Sequence, residues 1–86
     1  MSEYTDRFVV MNQEAIRDYP GVSNAVLAEL YYIEETDPSS NAIVELDPGG
    51  GLSIIAWDGG DPEDQIFESD LDWICPLLNK LDKEKL

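Results

Sequence analysis

The sequence predicts an α+β fold: an N-terminal helix, a three-stranded antiparallel β-meander and a C-terminal helix packed on the sheet. Three observations carry it. Turn sequences bracket two short β-type runs in the middle of the chain, and apolar residues repeat at helical spacing near both termini. At 86 residues the chain suffices for one small core and not for two, so residues 1–86 read as a single small acidic domain. Hydrophobic residues make up 43% of it and recur in patterned runs, which argues against disorder.

From Thr5 to Tyr19, Phe8, Met11, Ala15, Ile16 and Tyr19 sit at helical spacing, with Thr5 as N-cap and Pro20-Gly21 as a stop, so a helix is expected there. A competing reading takes RFVVM as a short strand followed by a helix capped at Asn12, because Val9 and Val10 are adjacent and β-branched. Residues 24–35 are ambiguous: Ser23 suits a helix cap, whereas Ala28, Leu30 and Tyr32 alternate as in a strand. DPSSN at 37–41 and DPGGG at 47–51 are turn sequences that bracket NAIVEL and lead into LSIIAW, which together read as a β-hairpin. An isolated hairpin is marginal in water, so a third strand from Leu27 to Glu35 is expected to complete the meander.

In that register Leu30, Tyr32, Ala42, Val44, Leu46, Leu52, Ile54 and Ala56 share one apolar sheet face, which needs a helix over it. Trp57 falls on the opposite face with Ile43, Glu45 and Asp47. Near the C-terminus Trp73, Ile74, Leu77, Leu78 and Leu81 repeat at helical spacing. Asp70 and Asp72 precede them, and Lys80, Lys83 and Lys85 follow near the end, an order that complements the helix dipole. With a start at Asp72 or Trp73, Pro76 falls in or beside the first turn, where its missing N–H costs little.

The charge excludes whole classes of function. Five basic against 19 acidic residues give a net charge of -14, a surface that repels nucleic acid and anionic lipid, so direct binding to either is not expected. No apolar run approaches the length of a bilayer span, the N-terminus lacks a signal-peptide pattern, and the single Cys75 fits a reducing compartment; the chain reads as cytoplasmic. Cys75 lies in the apolar run WICPLL near acids, and so reads as a buried structural thiol.

The absence of histidine removes Ser-His-Asp and Cys-His catalysis and the HExxH zinc site. DPGGG is not followed by the GK[ST] of a phosphate loop. An EF-hand template started at Asp58 puts Ser69 where a bidentate Glu is required, and one started at Asp61 puts Ile66 where Gly is required. No metal, cofactor or catalytic residue is therefore assigned, and no carboxylate pair is marked out for glycosidase chemistry.

What remains is the distribution of charge. From Asp18 to Asn79 there are fourteen acids and no cation, and seven of those acids fall between Asp58 and Asp72. The natural counterpart of such a surface is a basic protein surface. The expected partner-binding residues are Glu45, Asp47, Trp57, Asp58, Asp61, Glu63, Asp64, Glu68, Asp70 and Asp72, with Tyr31, Tyr32 and Phe67 as nearby aromatic anchors.

In size, charge and lack of histidine the chain resembles small acidic inhibitors such as phage DNA mimics, anti-CRISPR and anti-restriction proteins, a likeness of composition with no motif behind it. The resemblance implies a decoy that occupies the nucleic-acid-binding surface of a nuclease or other DNA-handling protein. Two further readings stand beside it, an immunity protein or antitoxin against a basic toxin, and an acidic domain whose charge confers solubility. A homodimer that hides the aromatics of the second sheet face is compatible with all three.

Overall fold

In the computed structural model of the chain, which describes residues 6–59 and 68–84 (residue 68 by its backbone alone), the first element is a strand, β1, at Phe8–Asn12. Val9 and Val10 supply its β-branched run, and Asn12 ends it by turning its side chain to cap a short helix, α1, at Gln13–Arg17. The cap is a 2.8 Å bond from Ala15 N–H to Asn12 Oδ1. The helix expected over residues 5–19 is thus confined to its second half, and Thr5 lies outside the described residues. The register that β1 finds beside the hairpin outweighs the helical spacing of Phe8 and Met11.

Helix α2 spans Asn24–Thr36 and takes the place of the third strand expected from Leu27 to Glu35. Ser23 caps it through Val26 N–H at 3.2 Å, and Val26, Leu30 and Ile33 recur along one buried side while Tyr31 and Tyr32 face solvent. Ala25, Leu27, Ala28 and Glu29 all favour helix, so cap and composition together override the local alternation.

The hairpin forms as expected, from β2 at Asn41–Leu46 and β3 at Leu52–Trp57. Its turn is closed by Gly50 N–H to Asp47 O at 3.1 Å and Asp47 N–H to Gly51 O at 3.0 Å. Gly51 has φ +85°, and a Cβ there would lie 2.8 Å from Gly21 O, so the turn between α1 and α2 rests directly on the hairpin turn.

The sheet order is β1-β2-β3, antiparallel throughout, although β1 reaches β2 by way of both N-terminal helices. Between β2 and β3 the register shifts: Val44 faces Ile54 whereas Ile43 faces Ala56, leaving Ile55 as a bulged extra residue. The bulge turns Trp57 onto the face of Ala42, Val44, Leu46 and Leu52, where sequence alternation had put Ala56. That face packs on α1 and α2 through Met11, Ile16, Val26 and Leu30.

The last helix, α3, covers Glu68–Glu84 and lies on the other face, where Leu71 and Cys75 bury Ile43, with Phe8, Ile74 and Leu78 packed around them. It starts before Asp72, so Pro76 is interior to the helix and not in its first turn. The α+β architecture therefore has an N-terminal helix, a three-stranded antiparallel sheet and a C-terminal helix on that sheet. Helices cover both faces. Among the described residues, no helix is long and apolar enough to cross a membrane.

Candidate functional site

The strands and α3 set two ends of the molecule. Lys83 of α3 pairs with Asp6, Asn79 bonds Phe8, and Leu71 packs on Ile43 opposite Val10, so α3 runs antiparallel to β1. Its first turn, about 13 Å further along, lies toward the end where β1 stops, β2 starts and β3 finishes.

At the end where β1 starts the cations are gathered. Arg7 donates from Nε and Nη2 to Glu45 Oε2 at 3.1 and 2.7 Å, and from Nη1 to Asp82 Oδ1 at 3.2 Å. The hydrogen bond to Glu45 and the charges of Glu45 and Asp82 hold the Arg7 guanidinium still more firmly protonated than usual. Lys83 pairs with Asp6 at 3.3 Å, and exposed Lys80 lies one turn back on the helix. Arg17 pairs with Glu34, tying α1 to α2. Among the described residues, Glu34 and Glu45 are the acids between Asp18 and Asn79 reached by these ion pairs.

The opposite end carries carboxylates. Asp58 follows β3, and its Oδ1 accepts from Ser40 Oγ and Asn41 N–H, both at 2.6 Å. Asp37, the C-cap of α2, accepts from Ser39 N–H at 3.0 Å and lies beside Gly59. Asp70 and Asp72 stand in the first turns of α3, and Asp70 Oδ1 accepts from Trp73 Nε1 at 3.1 Å. Aromatics adjoin these acids: exposed Tyr32 meets half-buried Trp57 edge to face at 6.3 Å, and Trp73 is more than half exposed.

The structure brings Trp57, Asp58, Asp70 and Asp72 to one end and separates two other described acids, Asp47 and Glu45, from them. Asp47 lies in the hairpin turn, about 20 Å away along β2. Glu45 is bound to Arg7 at the end where the cations are paired. Asp61, Glu63, Asp64 and Phe67 lie outside the described residues, as does the side chain of Glu68. Asp37 and Trp73 are added. The sequence shows Asp37 as part of a turn, with nothing local to place it at this end, and Trp73 as an apolar helix position that also bounds the acidic stretch from Trp57.

Among the described residues no three Cys, Asp or Glu side chains converge to hold a metal ion. These residues thus define an acidic, aromatic-flanked surface on an α+β scaffold. The chain matches no protein-family model, no curated protein and no solved structure.

Proposed function

We propose that the protein is a small acidic inhibitor or decoy that binds the basic nucleic-acid-binding surface of a nuclease or other DNA-handling protein. The observation that carries this reading is the gathering of most described cations at one end, where Asp6, Glu45 and Asp82 pair with them. The described cations other than Arg17 gather where α3 ends, while Asp37, Asp58, Asp70 and Asp72 share the other end beside Tyr32, Trp57 and Trp73. Clustered carboxylates steer a cationic partner at long range, and aromatics supply the anchoring contacts that charge alone does not.

The test is capture of partners from a host lysate on the immobilised protein at low and high salt, with double-stranded DNA as competitor. The expected result is a DNA-handling protein released by salt and by DNA. A variant with Asp61→Lys, Glu63→Lys and Asp64→Lys should fold as well as the parent and lose most of that capture. Retention in the presence of excess DNA would remove the decoy reading. A single basic toxin held in that way would favour an immunity protein or antitoxin.

A further inference from the structure

The edge of β1 bears on how a basic partner is held. Arg7 O accepts from Leu46 N–H at 2.8 Å, so Arg7, Val9 and Met11 bond toward β2, and the backbone groups of Phe8, Val10 and Asn12 point to the open edge. At Phe8 that edge is closed from within: Asn79 Oδ1 accepts from Phe8 N–H at 2.9 Å, and Asn79 Nδ2 donates to Phe8 O at 2.8 Å. The amide stands in for a neighbouring strand. Two residues on, nothing among the described residues meets the N–H and C=O of Val10, which is 43% exposed.

A groove of about 860 Å³ runs between β1 and α3 past this point, with Val10, Asp72, Cys75 and Pro76 on its walls. Lys80 and the Asp6–Lys83 pair lie toward its other end. Val10 sits opposite Ile43, which packs on Leu71 and Cys75, so Asp72 belongs to the stretch of α3 beside Val10. Pro76 has no N–H, which leaves the Asp72 carbonyl without its usual helical donor. The Asp72 carboxylate is exposed on the same wall.

Two unmet backbone groups on a strand edge fit an extended backbone, and Asp72 with its carbonyl fits a cationic donor. In an antiparallel pair, directly opposed residues project to the same face, so a residue opposite Val10 sends its side chain into the groove toward Asp72. We infer that the β1 edge receives an extended segment of a basic partner, antiparallel through Val10, with a lysine or arginine opposite Val10 reaching Asp72. This rests on the proposed preference for a basic partner and adds how one segment of it is gripped. A second copy is disfavoured as occupant, because it would bring another net charge of -14 to the same edge.

The probe is an acetylated alternating lysine–valine peptide of about eight residues, whose lysines share one side of the strand. Two controls carry N-methyl groups, one on the lysines and one on the valines. Both keep charge and composition, but only the first loses the N–H groups that would face Val10. Amide exchange of the whole protein followed by NMR is expected to show Val10 exchanging fast when free, and Val9 and Met11 slowly. The parent peptide should protect Val10, the valine-methylated peptide should do the same, and the lysine-methylated peptide should bind about tenfold more weakly. Asp72→Asn should weaken the parent peptide about twofold to fivefold.

Equal binding by the two methylated peptides, or no protection of Val10 at saturating peptide, would overturn the inference. It would leave the charge-based reading to its own test by salt and DNA competition. Protection of Val10 that rises with protein concentration alone would also overturn it, by assigning the edge to a second copy.

Discussion

At Asp58 one carboxylate oxygen accepts from Ser40 Oγ and Asn41 N–H, and Ser40 is almost wholly buried. The residue therefore holds the start of β2 to the end of β3 while adding to the acidic surface. The two roles separate by substitution. Asp58→Ala should lower stability by about 1–3 kcal/mol in urea denaturation, because it takes the side-chain acceptor from Asn41 N–H and leaves the Ser40 hydroxyl only backbone carbonyls to bond. Asp58→Asn retains an acceptor at that place, so it should fold nearly as well as the parent and report the charge alone.

Cys75 is a second residue whose surroundings decide its chemistry. Burial first, and the nearby charge of Asp6 next, push its thiol above the ordinary value of 9.0, and its Sγ lies 3.2 Å from Phe8 O as a donor. At neutral pH the group is a protonated structural thiol, slow toward disulfide reagents. The sign with pH follows. Above about pH 9 the unfolded chain loses the thiol proton while the folded chain keeps it, so the thiol's contribution is intact below that pH and declines as pH rises further. Urea midpoints should fall from about pH 8 to about pH 10, and Cys75→Ala should flatten that part of the slope.

Among the elements, α3 carries an evident internal conflict. Pro76 sits in the middle of the Glu68–Glu84 helix, removes one backbone bond and crowds the carbonyl of Asp72. Pro76→Ala should stabilise the protein by about 1–3 kcal/mol in thermal or urea unfolding. The same change restores the donor to the Asp72 carbonyl, so it should also weaken a cation docked beside Val10. In β3 the bulge at Ile55 is the corresponding device: one unpaired residue moves Trp57 onto the core-facing side, where it meets Tyr32.

For the molecule as a whole, four described ion pairs are all at least partly exposed, and each contributes little. Repulsion within a net charge of -14 outweighs them, so added salt should raise the melting midpoint at neutral pH. A gain of about 1 kcal/mol corresponds to about 4–8 °C for a domain of this size. Salt should act with the opposite sign on capture of a basic partner. Calorimetry and binding measured across one salt series therefore distinguish self-repulsion from recognition.

The hairpin was legible because its turn residues and its two β-type runs are adjacent in sequence, and the C-terminal helix because its apolar repeat is long. Each is a local signal. Strand β1 and helix α2 were not so decided: five residues around Val9 and Val10 become a strand only when β2 offers a register, and Leu30 and Tyr32 alternate until Ser23 caps a helix that buries Leu30 and exposes Tyr32. Likewise the run of fourteen acids without a cation is a property of the sequence, as is the exclusion of histidine chemistry. Which acids share a surface was decided by tertiary structure. Glu45 and Asp58 both border the hairpin, yet Arg7 arrives beside Glu45 from β1, and Asp70 and Asp72 arrive at Asp58's end on α3. Neighbours in space that lie far apart in the chain leave no local pattern, because charge acts through distance and not through sequence separation.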